Sequence, residues 1–473
     1  MGRIVIDECH CCSQWGHDFR PDYTQLGMLK NHFPSIPVLA VTATASDKVR
    51  EDCCAILNMT HNYQCFKSAA NRPNLTYAIR VKSDVKAKVA QDMADFIQQN
   101  HPTGSGIVYT LSKKEAEDVA EQLSSYGVPA EPYHAEIDAA TKATLHNNWM
   151  KNKVKVVVAT IAFGLGINKP DVRFVLHHSI SKTMENYYQE SGRAGRDGKP
   201  ADCVLYYSPK DVSRMRSMIE GDSQGARYSF WQMVKYAHEF GDDEKCRNVI
   251  LRCLGEIPDN ATASVRIPRP EERDVTNHVK TVILILQELD GNDTTIKQLV
   301  DLWKSRDPPS CVEKNQPKDL TKEECERLVV TLLIFEILEE KVSWNNYGSA
   351  MYIRIGQKAL RFLTSPTASF SIYFPPRSNA AKSSTLAKKR VSSSGEDDGW
   401  LTTKRRRKSS SEHIDDSKNQ KRGLPSTKRK LPAANRTSEV ISIDLDDESN
   451  DDGNTRKNIN YCEDSGSSEL DFF

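Results

Sequence analysis

The sequence has no long apolar run and carries almost no net charge. No stretch of about 18 consecutive apolar residues occurs in the chain, so we expect no membrane-spanning helix. The formal net charge is +1, which leaves no overall positive field, so any basic surface must be local. There are 12 cysteines but no hydrophobic signal segment at the start, and we interpret them as mostly reduced thiols of an intracellular protein.

A phosphate-binding loop is also absent from the sequence. No GxxxxGK[ST] pattern occurs, and the nearest dipeptide, Gly198-Lys199, is followed by Pro200. Such a loop would supply the backbone cradle and the principal cation for the β- and γ-phosphates of a nucleotide. The first apolar strand, Ile4 to Ile6, has no earlier element to pair with, so we expect the chain to begin inside a domain.

The residue pattern divides the chain into three kinds of segment. Residues 1 to about 220 alternate short β-branched runs with amphipathic stretches, which predicts an α/β fold with a helix-covered parallel sheet. From Asn277 to Leu363, three helical patterns precede two alternating strands, which predicts a winged helix that docks on duplex DNA. After Phe374 few large apolar residues remain, so we expect this tail to be disordered.

Charged residues suited to phosphate chemistry occur in two distant regions. Asp7 and Glu8 end an apolar strand, where an acid can hold Mg²⁺ through water and its neighbour can orient an attacking water. Taken alone, this pair is better explained as a polar loop. Arg193 and Arg196 in "QESGRAGRDG" lie on successive turns and could reach phosphate charge across a cleft; the alternative is a solvated basic turn.

Two further loops carry features that suit a nucleotide or DNA. In "ATIAFGLGINKPDVR", Gly164 and Gly166 would let the backbone approach a nucleotide or a DNA phosphate. In "SQWGHDFRPDY", Trp15 and Phe19 can stack on bases without regard to sequence, and Arg20 can pair with phosphate or with an acid. Each motif is weak alone, but their order and spacing make them strong together.

The ordered set "DECH", "SQWGHDFRPDY", "TAT", "NRPNL", "YHA", "ATIAFGLGINKPDVR" and "QESGRAGRDG" resembles the RecQ helicases of superfamily 2. The resemblance covers residues 1 to about 365, and a plant-type Q-like member is possible. It implies ATP-driven, 3′-to-5′ translocation on single-stranded DNA with unwinding of forked DNA, in repair, recombination and replication within the nucleus. It also implies that the phosphate-binding loop lies upstream, so the chain would be N-terminally truncated and would hydrolyse ATP poorly alone.

The resemblance implies roles for residues near the start of the chain. Asp7 would hold Mg²⁺, Glu8 would be the catalytic base, and His10 would couple hydrolysis to the aromatic loop. That loop, through Trp15, Phe19 and Arg20, would contact single-stranded DNA and report its presence to "DECH". Cys9 replaces the commoner alanine or valine of this box, a change that we expect to be tolerated.

The resemblance also implies roles for residues of the second lobe. Gln189, Arg193 and Arg196 would sense and stabilise the γ-phosphate of ATP, and Gly164 and Gly166 would lie beside the nucleotide. Asn168 replaces an aspartate of the family, which removes one charge near the cleft between the lobes.

The domains that we predict follow from the resemblance and from the composition. They are the C-terminal part of a first RecA-like lobe (1–66), a second RecA-like lobe (67–220), a helical hairpin with a degenerate zinc region (221–268), a winged helix (269–365) and a disordered tail (366–473).

Two residues outside the lobes are singled out by the resemblance. Cys246 matches the first ligand of the zinc site in RecQ proteins, but the expected paired cysteines are absent, so an ordinary helix cysteine is the better interpretation. Tyr347 lies beside Gly348 at the turn of the predicted wing, where the family places an aromatic wedge against the terminal base pair. An ordinary turn tyrosine is the alternative.

The tail holds two kinds of short motif. Basic clusters at 403–408 and 426–432 suit nuclear import or DNA tethering, with a solvated charge run as the alternative. The apolar run from Val440 to Leu445 ahead of acids resembles a SUMO-interacting motif, although a chance apolar run is the favoured interpretation.

Two other classes of function compete with a DNA helicase. A non-catalytic DNA-binding protein would occupy junctions without unwinding them, and phosphate release with single-stranded DNA would separate the two. An RNA helicase is disfavoured because the aromatic loop and the winged helix match DNA unwinders.

Overall fold

The computed structural model describes residues 2–14, 16, 18–59, 63–164, 167–219, 224–239, 243–256, 271–289, 291–306, 309, 312, 316–345, 348–365 and 367–375. Trp15, Gly166, Tyr347 and the run from Val440 to Leu445 lie outside these residues, so the predictions made for them stay predictions. Within the described residues, no helix has both the length and the apolar character needed to cross a bilayer.

The first lobe is a small unit built on two parallel strands. Strands β1 (Ile4–Ile6) and β2 (Val38–Ala40) pair in parallel, and helices α1 (Met28–His32) and α2 (Asp47–Ile56) accompany them. The Ser46 hydroxyl accepts a hydrogen bond from Val49 N and so begins α2. The lobe's core is small and rich in thiols, comprising Ile6, Cys9, Cys12, Val49, Cys53 and Leu57.

The second lobe is built on a six-stranded sheet in the order β3-β8-β7-β4-β6-β5, in which every pair is parallel. Its strands are β3 (Leu75–Val81), β4 (Ser105–Tyr109), β5 (Ala130–Tyr133), β6 (Val156–Ala159), β7 (Val172–His177) and β8 (Ala201–Tyr207). Its helices are α3 (Lys86–Asn100), α4 (Lys113–Ser125), α5 (Ala139–Met150), α6 (Met184–Ser191) and α7 (Pro209–Met218). All residues of β6 are buried, as expected for a parallel strand covered on both faces. The predicted parallel α/β class is confirmed.

The remainder of the described chain is mostly helical. Helices α8 (Gln224–Glu239) and α9 (Asp243–Cys253) come first, followed by β9 (Glu271–Asp274), α10 (Thr276–Glu288), α11 (Ile296–Trp303), α12 (Lys322–Ile334), β10 (Leu338–Asn345), β11 (Gly348–Ile355), α13 (Leu360–Thr364) and β12 (Ser371–Phe374). Strands β10 and β11 form an antiparallel hairpin, and β12 pairs with β9. Three helices followed by a hairpin is the predicted element order; the winged-helix assignment and the domain boundaries stay predictions.

One continuous core joins these helices to the second lobe. Buried side chains of β3, β8 and α6 belong to the same apolar cluster as those of α8 and α10 to α12. The opposite face of the six-stranded sheet is covered separately by α3 and α4. The hairpin is therefore carried on the same packed body as the sheet.

Candidate nucleotide site

A cleft of about 920 Å³ brings together five of the residues predicted to act on a nucleotide, Glu8, Gly164, Gln189, Arg193 and Arg196. Its lining includes Glu8 and Thr44 from the first lobe and Gly164, Gln189, Arg193 and Arg196 from the second. Loops that follow parallel strands are the usual place for ligands in α/β sheets, and both lobes contribute such loops here. Asp7 is exposed next to Glu8 but is not among the lining residues.

The acid pair adopts an unusual backbone directly after β1. Glu8 has φ of 49°, in the left-handed region that non-glycine residues rarely adopt. Asp7 Oδ1 accepts a hydrogen bond from the Glu8 backbone N–H at 2.9 Å, which leaves Oδ2 for another group. Burial, and next the negative charge of Asp7, raise the pKa of the Glu8 carboxyl above its ordinary value. A carboxylate with a raised pKa is a stronger proton acceptor, as a general base requires.

A chain of polar contacts joins this acid to the second lobe. Buried His10 has its Nδ1 3.3 Å from Glu8 Oε2 and 2.8 Å from Thr42 Oγ1. The Thr42 hydroxyl can donate to Thr44 O at 3.2 Å, and in the tautomer with a proton on Nδ1 it accepts from His10. Gln189 Nε2 donates across the cleft to Thr44 Oγ1 at 3.4 Å. These contacts, from Glu8 through His10, Thr42 and Thr44 to Gln189, are called the polar relay below.

The two arginines rest on the loop that follows β6. Arg193 Nη1 donates to Gly164 O at 2.5 Å, and Arg196 Nη1 donates to Ile167 O at 2.9 Å and to Asn168 Oδ1 at 3.4 Å. Neither guanidinium forms an ion pair with a carboxylate of the described residues, and buried Arg193 Nε has no partner there. Uncompensated positive charge in a cleft favours binding of an anion.

The two arginines also affect each other and the glycine beside them. Burial, and next the charge of Arg193, lower the pKa of Arg196. A Cβ added at Gly164 would lie 3.2 Å from Arg193 Nη2 and 3.3 Å from Ile161 O, tighter than most such contacts. A side chain at position 164 would therefore press on the guanidinium of Arg193; the predicted contact of Gly164 with a nucleotide stays a prediction.

The aromatic loop folds back onto the acid box. The Arg20 backbone N–H donates to Cys11 O at 2.9 Å, and a Cβ added at Gly16 would lie only 2.4 Å from His10 O. Half-buried Phe19 precedes Arg20, whose guanidinium pairs with Asp18 at 2.7 Å rather than standing alone. A shift of this loop would therefore press directly on His10, the second member of the polar relay.

Cys246 does not have a metal-like setting among the described residues. It is buried within α9 as part of the main apolar core. No group of three or more histidine, cysteine, aspartate or glutamate side chains with metal-site geometry occurs in the described part of the chain. Residues 257–270, where family ligands would follow, lie outside that part.

Three cleft residues were not predicted from the sequence. Arg72 donates to Gly195 O at 2.9 Å and belongs to "NRPNL", a motif that was recognised without a role. Arg50 pairs with Asp47 one turn earlier on α2, a pattern that predicts only a solvated helix face. Phe66 lies between the lobes with 83% of its surface exposed, and nothing in its neighbours signals a ligand.

Comparison with known proteins identifies the class of this fold and site. The family model of the helicase conserved C-terminal domain matches residues 87–198, which include most of the second lobe and both arginines. The ATP-dependent DNA helicase Q-like 2 of Arabidopsis thaliana is 42% identical over 376 residues, which are 77% of this chain and 51% of the relative. The ATP-dependent DNA helicase Q1 of Pongo abelii is 39% identical, over 76% of this chain and 56% of the relative. A parallel-sheet lobe with these matches has the RecA-like fold of helicases.

The chain belongs to the RecQ family of superfamily 2 helicases. It spans about half the length of the curated relatives that it matches. Among solved structures, the Mycobacterium smegmatis helicase Lhr bound to ssDNA and AMP-PNP is 15% identical, with a TM-score of 0.38, over 76% of this chain and 42% of that one. The Saccharomyces cerevisiae Dbp5 bound to RNA and ADP BeF3 is 17% identical, with a TM-score of 0.37, over 54% of this chain and 63% of that one.

Proposed function

We propose that this chain carries the ATP- and DNA-responsive parts of a 3′-to-5′ DNA helicase that acts in the nucleus in repair, recombination and replication. The observation that supports it best is the cleft in which Glu8 faces Gln189, Arg193 and Arg196. A base on one lobe and unpaired guanidinium groups on the other suit phosphoryl transfer, which depends on positioning and charge stabilisation.

The residues present fit magnesium and ATP. Asp7 Oδ2 is the carboxylate oxygen left to hold Mg²⁺ through water, because Oδ1 already accepts from Glu8 N. When bound, the metal would neutralise charge that develops on the phosphates. Glu8, with its raised pKa, would take the proton of the attacking water. Arg193 and Arg196 would stabilise the equatorial oxygens of the γ-phosphate.

Coupling to DNA would use the polar relay. Single-stranded DNA stacked on Trp15 and Phe19 and contacting Arg20 would move the loop that touches His10 through Gly16. His10 in turn contacts both Glu8 and Thr42. A change at the loop would thus reach the base and, through Thr44, the glutamine of the other lobe.

The hairpin would serve as the wing of a winged helix that opens forked DNA. Tyr347, at its turn, would stack on the terminal base pair and replace the stacking lost as that pair opens. Val440 to Leu445 would add a strand to SUMO or to a sumoylated protein. Cys246 would be a core residue rather than a zinc ligand.

The second candidate is a DNA-binding protein without catalysis, favoured by the lack of any GxxxxGK[ST] pattern. Purified chain would be mixed with ATP, Mg²⁺ and single-stranded DNA, with Glu8→Gln as the matched control for contaminating ATPase. We expect DNA binding with little phosphate release from this chain.

A chimera that joins a RecQ phosphate-binding segment to the N-terminus of this chain is the second experiment. It should show DNA-stimulated phosphate release that Glu8→Gln abolishes. A chimera that binds DNA but stays inactive would favour the non-catalytic candidate.

A further inference from the structure

The hairpin is fixed to the second lobe by a buried carboxylate. Glu340 on β10 accepts from Arg216 Nε at 2.8 Å, from Arg227 Nη2 at 2.8 Å and from Trp231 Nε1 at 3.3 Å, with its side chain only 4% exposed. The Arg216–Glu340 pair is nearly dry, with side chains 6% and 4% exposed, and a hydrogen-bonded ion pair of this kind holds one geometry. The inner face of the hairpin is therefore held against α7 and α8.

Five other residues of the hairpin share the face on which Glu340 lies. Because side chains alternate along a strand, Glu340, Val342 and Trp344 share a face of β10. Their partners across the hairpin on β11 are Ile353, Met351 and Ser349 in that order, and directly opposed residues share a face. We call these six residues the inner row: Glu340, Val342, Trp344, Ser349, Met351 and Ile353.

The inner row is buried along its length but not at its outer end. Met351 and Ile353 are each 2% exposed, and Ser349 Oγ donates to Ser217 O at the end of α7 at 2.7 Å. Trp344, opposite Ser349, is 70% exposed, although it points to the side that carries the packing. Met218, next to Ser217, is also 59% exposed. The indole ring of Trp344 is therefore exposed to solvent near the C-terminal end of α7.

We propose that Trp344 is a stacking platform for a nucleobase of DNA at the junction between duplex and single strand. The proposal rests on the proposed DNA function but adds a binding residue on the inner face, separate from Tyr347 at the turn. An indole ring stacks on any base, so it needs no sequence readout. The guanidinium of Arg227, whose side chain is 56% exposed, shares Glu340 with Arg216, so two positive charges face one carboxylate beside the hairpin, which favours a phosphate there. Both features suit nucleic acid better than an apolar protein surface.

The contacts of Glu340 and Ser349 fix the position of Trp344 relative to the second lobe. Since Glu340 and Ser349 tie the hairpin to α8 and α7, a base stacked on Trp344 is held at a fixed distance from the second lobe. When the second lobe moves during translocation, the base stacked on Trp344 would then move with it by the same distance. A ring on a loosely held hairpin could not do this.

The test compares variants of the full chain on two DNA probes. The probes are a forked duplex with 2-aminopurine in the first base pair and a single strand of equal length. We expect Trp344→Ala to weaken fork binding about tenfold, since stacking contributes on this scale, and to abolish the change in 2-aminopurine fluorescence. Trp344→Phe should keep most of both. Tyr373→Ala, an exposed strand aromatic outside the hairpin, should match the wild type.

The outcomes separate this inference from the proposed function. Unchanged fork affinity and fluorescence in Trp344→Ala, with single-strand binding intact, would overturn the platform alone. Wild-type chain that binds neither probe would overturn the proposed function as well. If Trp344→Ala instead lowers the oligomeric state in sedimentation without altering fork affinity, the ring packs on a second copy and the platform is rejected. Loss of fork binding by Trp344→Ala with a native circular dichroism spectrum supports it.

Discussion

The two sides of the cleft are constructed in different ways. On the arginine side, Arg193 and Arg196 rest on backbone carbonyls of a loop that follows a fully buried strand of a six-stranded sheet. On the acid side, Glu8 follows a three-residue strand in a sheet of two strands, and its surroundings are side chains.

Because the two sides of the cleft are held by different kinds of contact, we expect them to respond differently to a ligand. Groups anchored to backbone carbonyls keep their positions, whereas groups held only by side-chain contacts open at lower free-energy cost. The arginine side is therefore the preformed half of the cleft. The acid side is linked to the aromatic loop through Gly16 and His10, and we therefore expect it to be the half that DNA adjusts.

The largest expected effect comes from removing the charge of the preformed side. In the chimera with a phosphate-binding segment, Arg193→Ala should lower DNA-stimulated phosphate release about 10³-fold, the lower end for loss of an arginine finger. Arg193→Lys should not restore it, because lysine lacks the planar guanidinium that can donate to Gly164 O through one nitrogen and to a phosphate through another. Arg80→Ala, which removes an exposed pair with Asp92, is the matched control. Equal activity of Arg193→Ala and the control would exclude a role in the transition state.

The next effect concerns the packing beneath the arginine loop. Trp149 is fully buried, donates to Gly106 O at 3.3 Å, and contacts Phe163, the residue before Gly164. Trp149→Ala should lower the free energy of unfolding by about 3–5 kcal/mol, measured by urea titration. The half-exposed neighbour Met150→Ala should cost far less. A small loss for Trp149→Ala would mean that the arginine side is not the more rigid half.

The sequence singled out residues that line the cleft but not their surroundings. Glu8, Gln189, Arg193 and Arg196 were singled out because each belongs to a motif whose order along the chain is itself informative; all four line one cleft, and their roles stay predictions. The donation from Gln189 to Thr44 of "TAT" is a detail that the motifs themselves do not specify. Motifs indicate which chemistry is present, but which hydroxyl meets which amide is set by packing.

Other features left no signal in the sequence. The spacing of Arg50 from its partner Asp47, three positions earlier, predicts only a solvated helix face. Its position in the cleft depends on the orientation of α2, which the sequence does not indicate. Glu340 is the second of two adjacent glutamates, and nothing in the strand distinguishes it from Glu339. Its buried position depends on Arg216 and Arg227, more than 100 residues away in the chain.

A smaller effect is expected at the loop that makes the acid side adjustable. In the chimera, Phe19→Ala or Trp15→Ala should reduce stimulation of phosphate release by DNA more than it reduces DNA affinity. Stacking contributes about 1–3 kcal/mol per base, so affinity should fall at most moderately. Titrating single-stranded DNA while recording phosphate release gives both quantities. If stimulation survives both changes, the loop is structural and both sides of the cleft are preformed.

The smallest effect is a pH-dependent change in stability at Glu8. Burial and the charge of Asp7 raise the pKa of this carboxyl above 4.5, so the folded chain binds its proton more readily than the unfolded chain. Such a group favours folding at low pH, and that contribution is lost as the pH rises through the raised pKa. At about pH 8 the charged carboxylate therefore opposes folding, and Glu8→Gln should slightly stabilise the first lobe. The difference should shrink as the pH falls toward about 4.

Hydrogen exchange of residues 4–57 in urea would measure this, because it reports on the first lobe separately from the large sheet. Glu51→Gln is the matched control, since Glu51 lies on α2 of the same lobe with its side chain 71% exposed. It should change stability equally little at every pH. Slower amide exchange in Glu8→Gln than in the wild type at high pH would show that the charged Glu8 carboxylate lowers the stability of the first lobe. Lower protection at high pH would mean instead that the contact of Glu8 with His10 outweighs the cost of burying the carboxylate.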